Sequence, residues 1–297
     1  LTVDWAYDQG VMVVVAAGNE GSDYFTITAP GSAENAITVG AVDKSGNIAW
    51  FSSRGPVVSN FRVKPEMVAP GVDVCSAVPE YIYGHPYECW SGTSMATPHV
   101  AGAMAILYSY GDIMGFGHPW PDLAKLWLLA FATEDIGYDV YTQGAGLLNL
   151  TKSFIRDING HGGNSFYPPV INFGPIPVGT EVSQEIEVCE EWGNMNRTYT
   201  FEVTAQDILT GEYRNIATIT PSTIEVSKGS CEIVTLTISP DAPPGLYSGK
   251  ILVRDNYSYT YNIIFGAYLG YNLTIHKIPM EGPGEEWAVD GDRIDVV

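Results

Sequence analysis

The most informative segment of the chain is Ser91-Gly92-Thr93-Ser94-Met95-Ala96-Thr97-Pro98-His99-Val100-Ala101-Gly102. From Met95 to Tyr110 the residues are small, apolar and mostly compatible with a helix. Pro98 is tolerable there because it falls in the first helical turn, where backbone N–H groups have no intrahelical partner. Gly92 precedes this helical segment and predicts a tight turn that places Ser94 at the start of the helix.

A serine in this position has two chemical properties. N–H groups at a helix N-terminus are unpaired, and the helix dipole favours negative charge there. Ser94 could therefore attack a carbonyl while its own N–H receives the developing oxyanion. The alternative is a helix N-cap rich in Ser and Thr without any chemistry.

A second segment lies upstream. Val11–Ala17 is a continuous apolar run, which is typical of a strand of a parallel sheet buried on both faces. Asn19 follows it at the carboxyl end, where α/β proteins place their ligands. Its side-chain amide could donate to an oxyanion, whereas the alternative is an ordinary asparagine in a polar turn.

These segments resemble a known family. Gly92–Gly102 is similar to the active-site serine motif of the subtilisin-like serine proteases (subtilases, peptidase family S8), and Ala16–Gly21 resembles their oxyanion-asparagine loop. Further segments resemble subtilase segments in family order: Ala29–Gly31, followed by Ala36–Val42, Phe51–Pro56 and Lys64–Val72. The resemblance covers roughly residues 1–155.

The resemblance implies a fold and an activity. The fold would be an α/β, parallel-sheet, three-layer subtilisin-like domain that is incomplete in this chain. The activity would be hydrolysis of protein or peptide bonds by an acyl-enzyme on Ser94, with Asn19 and backbone N–H groups as the oxyanion hole. Residues expected to contact the substrate are Ala16, Ala17, Gly18, Gly31 and Thr93. No metal or cofactor is needed for this chemistry, and a structural Ca²⁺ is implied by the family alone.

The family's mechanism also needs a histidine base and an orienting aspartate. Both should precede Asn19, but no histidine does so, and Asp4 lies in a helical context without a following glycine. None of the five histidines is assigned as the base; they are His85, His99, His118, His161 and His276. We therefore expect the catalytic Asp and His in an upstream part of a longer enzyme, so that this chain alone is inactive. The alternatives are a non-catalytic surface or binding protein on the same scaffold and, less favoured, an esterase.

The composition changes near residue 160, and period-two alternation follows, as in Tyr199–Val203 and Ile233–Ile238. Several short strands separated by turn signals predict a second, all-β domain, an antiparallel sandwich that resembles fibronectin type III-like or immunoglobulin-like modules. We therefore predict a catalytic part at 1–156, a linker at 157–165, the sandwich at 166–276 and an acidic tail or further region at 277–297.

The four cysteines form no CxxC pair, which argues against a zinc or redox motif. Sequons begin at Asn149, Asn196, Asn256 and Asn272, and with the even cysteine count they favour an extracellular or cell-surface protein. The resemblance implies that Cys75 and Cys89 face each other across an antiparallel pair, with two buried free thiols as the alternative. Cys189 and Cys231 fall at a strand end and a strand start, which permits a second pair.

Charge excludes several partners. The chain has 34 acidic and 14 basic side chains among 297 residues, giving a formal net charge of −20. Nucleic acids and anionic membranes need clustered Lys and Arg, so neither is expected as a partner. No apolar run reaches the ~18 residues of a membrane helix.

Overall fold

The computed structural model describes residues 2–113, 119–152, 163–190 and 195–270, and the backbone of two further strands at 273–277 and 292–296. Several positions discussed above lie outside the described residues: His118, His161, Asn272, the side chain of His276, and most of the segments 157–165 and 277–297. Within the described helices, none is long and apolar enough to cross a membrane.

The first half of the chain alternates strands and helices around one mainly parallel sheet. Its elements are α1 (Thr2–Asp8), β1 (Val14–Ala16), β2 (Ile37–Val42), β3 (Met67–Pro70), β4 (Val74–Ala77), α2 (Glu80–Tyr83), β5 (Tyr87–Trp90), α3 (Thr93–Ile113), α4 (Pro121–Phe131), β6 (Thr133–Glu134), α5 (Val140–Gln143) and β7 (Leu147–Leu148). The sheet order is β1-β2-β3-β7-β6, and only β6 runs antiparallel to its neighbour.

Burial on both faces explains the apolar runs of this sheet. All six residues of β2 are buried, as expected of a parallel strand covered on each side. The helix α3 packs across β1, β2 and β3, and its Val100 and Leu107 share an apolar core with Ile37 and Val39. The carboxyl end of β1 and the amino end of α3 therefore lie at the same edge of the sheet.

The second half of the chain is built from strands. They are β8 (Ser165–Tyr167), β9 (Val170–Pro177), β10 (Val182–Cys189), β11 (Arg197–Asp207), β12 (Ala217–Thr220), β13 (Thr223–Val226), β14 (Cys231–Ile238), β15 (Gly245–Asp255), β16 (Thr260–Gly270), β17 (Leu273–Lys277) and β18 (Asp292–Val296). Two sheets, ordered β12-β14-β10-β8 and β13-β11-β15-β16-β9, enclose one apolar core.

One pairing in the second half departs from the antiparallel pattern that the sequence predicts. Strand β9 pairs with β16 in parallel, whereas the other pairs within these two sheets are antiparallel. A parallel pair needs a long connection between its strands, and the intervening strands β10 to β15 supply it. Alternation of side chains predicts strands, but it does not specify which edge a strand joins.

The two halves share their cores. Leu126 and Phe131 of α4 belong to the apolar cluster of the β-rich half, and Leu246 and Ile264 of β15 and β16 belong to the cluster of the first half. Strand β8 begins at Ser165, inside the predicted linker. The domain boundaries therefore stay a prediction. The two halves pack against each other through buried apolar residues, which a linker between separate domains would not predict.

The structure contains two disulfides, and both lie across antiparallel pairs. Strand β4 sets Cys75 opposite Cys89 of β5, and strand β10 sets Cys189 opposite Cys231 of β14. The first bridge is exposed, whereas Cys189 is buried at the end of its strand. Each bridge thus fixes the register of one hairpin or strand pair.

Candidate active site

Ser94 lies at the second residue of α3 and is exposed. The turn before it is anchored to β3, because the N–H of Gly92 donates to the carbonyl of Gly71 at 2.8 Å. The N–H of Met95 then donates to the carbonyl of Gly92 at 3.0 Å, which closes the turn. The sequence prediction of a serine delivered to a helix start therefore matches the observed backbone.

The side chain of Asn19 reaches the same turn. Its Oδ1 accepts the N–H of Thr93 at 2.9 Å and the hydroxyl of Thr93 at 3.0 Å. Because the oxygen of the carboxamide is occupied in this way, the Nδ2 hydrogens are the end available to another acceptor. Asn19 is thus oriented as a donor beside the start of α3.

The two prospective oxyanion donors border one space. A Cβ built on Gly92 would lie 3.6 Å from Nδ2 of Asn19 and 3.7 Å from the backbone nitrogen of Ser94. Sδ of Met95 lies 3.7 Å from the same position. The two nitrogens thus lie near one point beside Gly92, and the oxyanion hole stays a prediction.

Thr93 holds the two segments together. Its side chain is fully buried; Oγ1 accepts the N–H of Gly18 at 3.3 Å and contacts the carbonyl of Gly18 at 3.2 Å. From its place in the sequence, Thr93 is expected to contact the substrate. In the described structure its side chain instead joins the end of β1 to the start of α3, because burial leaves the hydroxyl no solvent-facing side.

The structure also brings together the small residues expected to line a substrate pocket. A Cβ on Gly31 would lie 2.8 Å from the carbonyl oxygen of Ala16 and 2.9 Å from that of Thr28, so only glycine fits there. Ala17 follows at the end of β1, and Gly18 has a φ of +115°, a conformation that favours glycine. Ala16, Ala17 and Gly18 thus lie at the carboxyl end of β1, just before Asn19, and Gly31 packs against Ala16.

An ion cluster beneath this edge supports it. The carboxylate of Glu66 is buried against Lys64 and Lys125, and its Oε2 accepts the N–H of Thr38 at 2.8 Å. Burial lowers the pKa of Lys64 to about 8. Burial alone would raise the pKa of Glu66, but Lys125 and Lys64 hold it below its ordinary value. Since the hydroxyl of Thr38 donates to the carbonyl of Gly31 at 2.7 Å, the cluster helps to fix the pocket edge.

The histidines that the structure describes are engaged elsewhere. Nδ1 of His99 contacts the carbonyl of Met95, one turn back on the same helix, at 2.9 Å. His85 contacts the carbonyl of Tyr87 through Nδ1 and Glu88 through Nε2. Asp4 accepts the N–H of Asn35 at 3.1 Å. None of these three groups takes the place of the histidine or aspartate of a serine protease.

A groove that the sequence analysis did not predict opens beside the first turns of α3. It has a volume of about 580 Å³ and is lined by Met95, Pro98 and His99 on one side and by the β4–β5 hairpin, with Tyr83 and Trp90, on the other. None of the residues expected to form the substrate pocket lines it. The aromatic residues between Cys75 and Cys89 are the feature of the sequence from which this groove could have been predicted.

The sequence of the first half matches a known family. Residues 2–144 match the sequence model described as Subtilase family, Peptidase_S8. The N-terminal part of the chain is therefore similar to a subtilase-family domain. The resemblance from which the expectations for Ser94 and Asn19 were drawn is thereby confirmed at the level of the family.

Three curated relatives are similar to this chain over part of their length. Pyrolysin from Pyrococcus furiosus is 32% identical over 83% of this chain and 20% of that protein. Serine protease AprX from Bacillus subtilis is 42% identical over 51% of this chain and 37% of its own length. Subtilisin E from the same species is 38% identical over 50% of this chain and 35% of its length. The chain therefore spans well under half of each of these proteins.

Two solved structures match about half of the chain. The prenylagaramide maturation protease PagA is 29% identical with a TM-score of 0.44, covering 52% of this chain and 53% of that one. Sphericase is 31% identical with a TM-score of 0.42, covering 50% of this chain and 51% of that one. The family assignment rests on the sequence match.

The resemblance to the subtilases implies a structural calcium site. Among the described residues, the groups of His, Cys, Asp and Glu that could share an ion are Asp73 with Cys75 and Cys89, and Glu187 with Cys189 and Cys231. Both cysteine pairs are disulfides, and Ca²⁺ prefers six to eight oxygen ligands. Neither group fits calcium.

Proposed function

We propose that this chain supplies the nucleophile and the oxyanion hole of a serine endopeptidase. One observation carries the proposal: Nδ2 of Asn19 and the backbone nitrogen of Ser94 lie near the same point beside Gly92, next to the exposed residue Ser94. Such preorganised donors act on charge that develops in the transition state, where one of them is typically worth about 2.7–4 kcal/mol.

The reaction proceeds in two balanced steps. Oγ of Ser94 attacks the peptide carbonyl, its proton passes to a base, and the carbonyl oxygen becomes an oxyanion bound by Asn19 and the N–H of Ser94. Collapse of this intermediate expels the amine, which takes the proton, and leaves an acyl ester on Ser94. Water then attacks the ester in the same oxyanion hole and gives a proton to the base; that proton passes to Oγ of Ser94 as the ester bond breaks, which releases the acid and restores the serine.

We place the base, a histidine oriented by an aspartate, in an upstream part of a longer polypeptide, because neither His85 nor His99 of the described residues takes that place. Two observations support this part of the proposal. His85 and His99 are engaged by Glu88 and by the helix backbone, and the chain spans only 20–37% of the three relatives described above. In this view the isolated chain is inactive because nothing accepts the proton of Ser94.

We assign the pocket for the residue before the scissile bond to Ala16, Ala17, Gly18 and Gly31. We expect these small residues to border the substrate side chain next to Asn19, while neighbouring protein atoms fill the space that a Cβ would take at Gly18 and Gly31. Thr93 acts by positioning, because its buried side chain links Gly18 and Asn19 to α3.

We further propose that the β-rich half is an appended fibronectin type III-like or immunoglobulin-like module and that the protein works outside the cell. Two sheets around one core support the first statement, and two disulfides without free cysteines in the chain support the second.

Labelling tests the proposed nucleophile. In the full-length polypeptide, a serine-directed phosphonate is expected to label the wild type and Ser109→Ala, but not Ser94→Ala. Ser109 is a matched control because it is exposed on the same helix, away from its N-terminus. Peptide mapping by mass spectrometry locates the adduct. Equal labelling of Ser94→Ala would overturn the proposal.

A further inference from the structure

Three aromatic rings connect the segment after Asn19 to the β-rich half. Phe25 packs edge-on against Phe61, with ring centroids 5.8 Å apart. Phe61 in turn stacks on Tyr268 of β16, with centroids 4.5 Å apart and an angle of 10° between the rings. The row therefore begins six residues after the oxyanion asparagine and ends on a strand of the other half of the chain.

The backbone at two of these rings is strained. Phe25 has a φ of +66° and Phe61 a φ of +55°, a left-handed conformation that bulky side chains rarely adopt. Such conformations persist only where the surrounding structure imposes them. The stack that ends on Tyr268 supplies part of that surrounding structure.

A polar route runs parallel to the rings. The hydroxyl of Tyr24 donates to Asp139 at 3.1 Å, and Asp139 caps α5 by accepting the N–H of Tyr141 at 2.9 Å. The N–H of Val140 donates to the hydroxyl of Ser248 on β15 at 2.9 Å. Adjacent residues 24 and 25 are thus tied to the β-rich half by independent contacts.

The held segment forms the edge of the proposed pocket. The N–H of Thr26 donates to the carbonyl of Arg54 at 2.9 Å, and the N–H of Thr28 donates to the carbonyl of Ala17 at 3.2 Å. The carbonyl of Thr28 lies against Gly31. A shift of Phe25 therefore reaches Ala17 and Gly31 through two or three residues of hydrogen-bonded backbone.

We propose that Tyr268 is a positioning residue for the pocket that receives the side chain before the scissile bond. Resting on the proposed function, this inference gives the β-rich half a part in substrate selection. Tyr268 stacks on Phe61, Phe61 supports Phe25, and the segment from Phe25 to Thr28 fixes the pocket edge. The contribution is made by the ring and does not need the hydroxyl.

Amide hydrogen exchange tests the positioning step without requiring activity. In the full-length polypeptide, Tyr268→Ala is expected to speed exchange of the amides of Phe25, Thr26 and Thr28 by about fivefold or more, since local opening sets exchange of hydrogen-bonded amides. Tyr268→Phe should restore the wild-type rate. Tyr213→Ala is the matched control, because Tyr213 is an exposed tyrosine of the same half. Amides of β11 serve as the internal reference.

Kinetics test the consequence for specificity. Peptide substrates that differ only in having Phe or Ala before the scissile bond are compared by kcat and KM. Tyr268→Ala is expected to raise KM for the Phe substrate about fivefold, to leave kcat within about twofold and to narrow the Phe-to-Ala ratio of kcat/KM. Tyr268→Phe and Tyr213→Ala should keep the wild-type ratio.

The outcomes separate the two proposals. Unchanged exchange at residues 25–28 in Tyr268→Ala overturns the positioning role whether or not the protein is a protease. Faster exchange with an unchanged Phe-to-Ala ratio in an active enzyme overturns the role in specificity alone. Wild-type protein that hydrolyses none of these peptides and takes no phosphonate counts against the proposed function itself.

Discussion

The carboxamide of Asn19 accepts hydrogen bonds at its oxygen, Oδ1, and presents its nitrogen, Nδ2, to another acceptor. Thr93 donates to Oδ1 of Asn19 through both its backbone N–H and its hydroxyl. The side-chain amide of Asn19 therefore cannot rotate without losing two hydrogen bonds. This orientation is the physical basis for treating Nδ2 as a catalytic donor.

Replacement of Asn19 by Ala in the full-length enzyme is expected to lower kcat by about 10²–10³-fold with little change in KM, because the lost hydrogen bond forms mainly in the transition state. Steady-state kinetics on a peptide substrate provide the measurement. Asn47→Ala is the matched control, since Asn47 is an exposed asparagine in the turn after β2. A rise in KM at unchanged kcat would instead indicate a ground-state binding role for Asn19.

Roles for Ser94 and Asn19 could be proposed from sequence because each lies in a short, continuous motif whose local structure is set by neighbouring residues; the catalytic roles stay predictions. The stack of Phe25, Phe61 and Tyr268 was not predictable in the same way. Its members lie on three separate segments, and no periodicity connects them. The burial of Thr93 was also missed, because a motif specifies which residues are present but not which way each side chain faces.

At the scale of elements, the two disulfides close loops of different length. The bridge from Cys75 to Cys89 spans 14 residues, whereas that from Cys189 to Cys231 spans 42. In the chain-entropy model, closing these loops stabilises the fold by about 3 and about 4 kcal/mol. The pairs also differ in exposure, because both sulfurs of the first lie on an exposed hairpin.

Mild reduction is therefore expected to open Cys75–Cys89 first, while Cys189–Cys231 resists until the β-rich half unfolds. Alkylation followed by mass spectrometry measures the order. In urea unfolding, the double substitution Cys189→Ser with Cys231→Ser should cost more stability than Cys75→Ser with Cys89→Ser, which is its matched control. Simultaneous reduction of both bridges at low denaturant would contradict this order.

The elements themselves were largely readable from the pattern of side chains. Continuous apolar residues predicted β2, and small residues predicted α3, although β1 is shorter than the apolar run that contains it. The parallel pairing of β9 with β16 was not readable, because it depends on which sheet edge is left uncovered after the other strands pair. Alternation of apolar and polar side chains shows which face of a strand is buried, but it does not show which strand pairs with it.

At the scale of the whole molecule, the two halves are joined by apolar packing and by a charged contact. The Nζ of Lys250 on β15 lies 2.8 Å from Oδ2 of Asp135, in the loop after β6. Burial alone would raise the pKa of Asp135, but hydrogen bonds from Lys250 and Gln143 hold it below its ordinary value. The charged form of Asp135 is thus favoured by folding.

The sign of the pH dependence follows from this shift. Between the folded pKa and the unfolded value near ~3.9, the unfolded chain binds more protons, so stability rises with pH. Asp135→Asn is therefore expected to be less stable than the wild type near pH 6, and the difference should vanish as the pH falls through the folded pKa of Asp135. Urea unfolding from pH 6 to pH 2.5 measures it. Glu202→Gln is the control, because Glu202 pairs with Arg254 within one sheet and both are exposed. A constant difference across this range would show that Asp135 acts through its neutral hydrogen bonds, and the charged link between the halves would then contribute nothing.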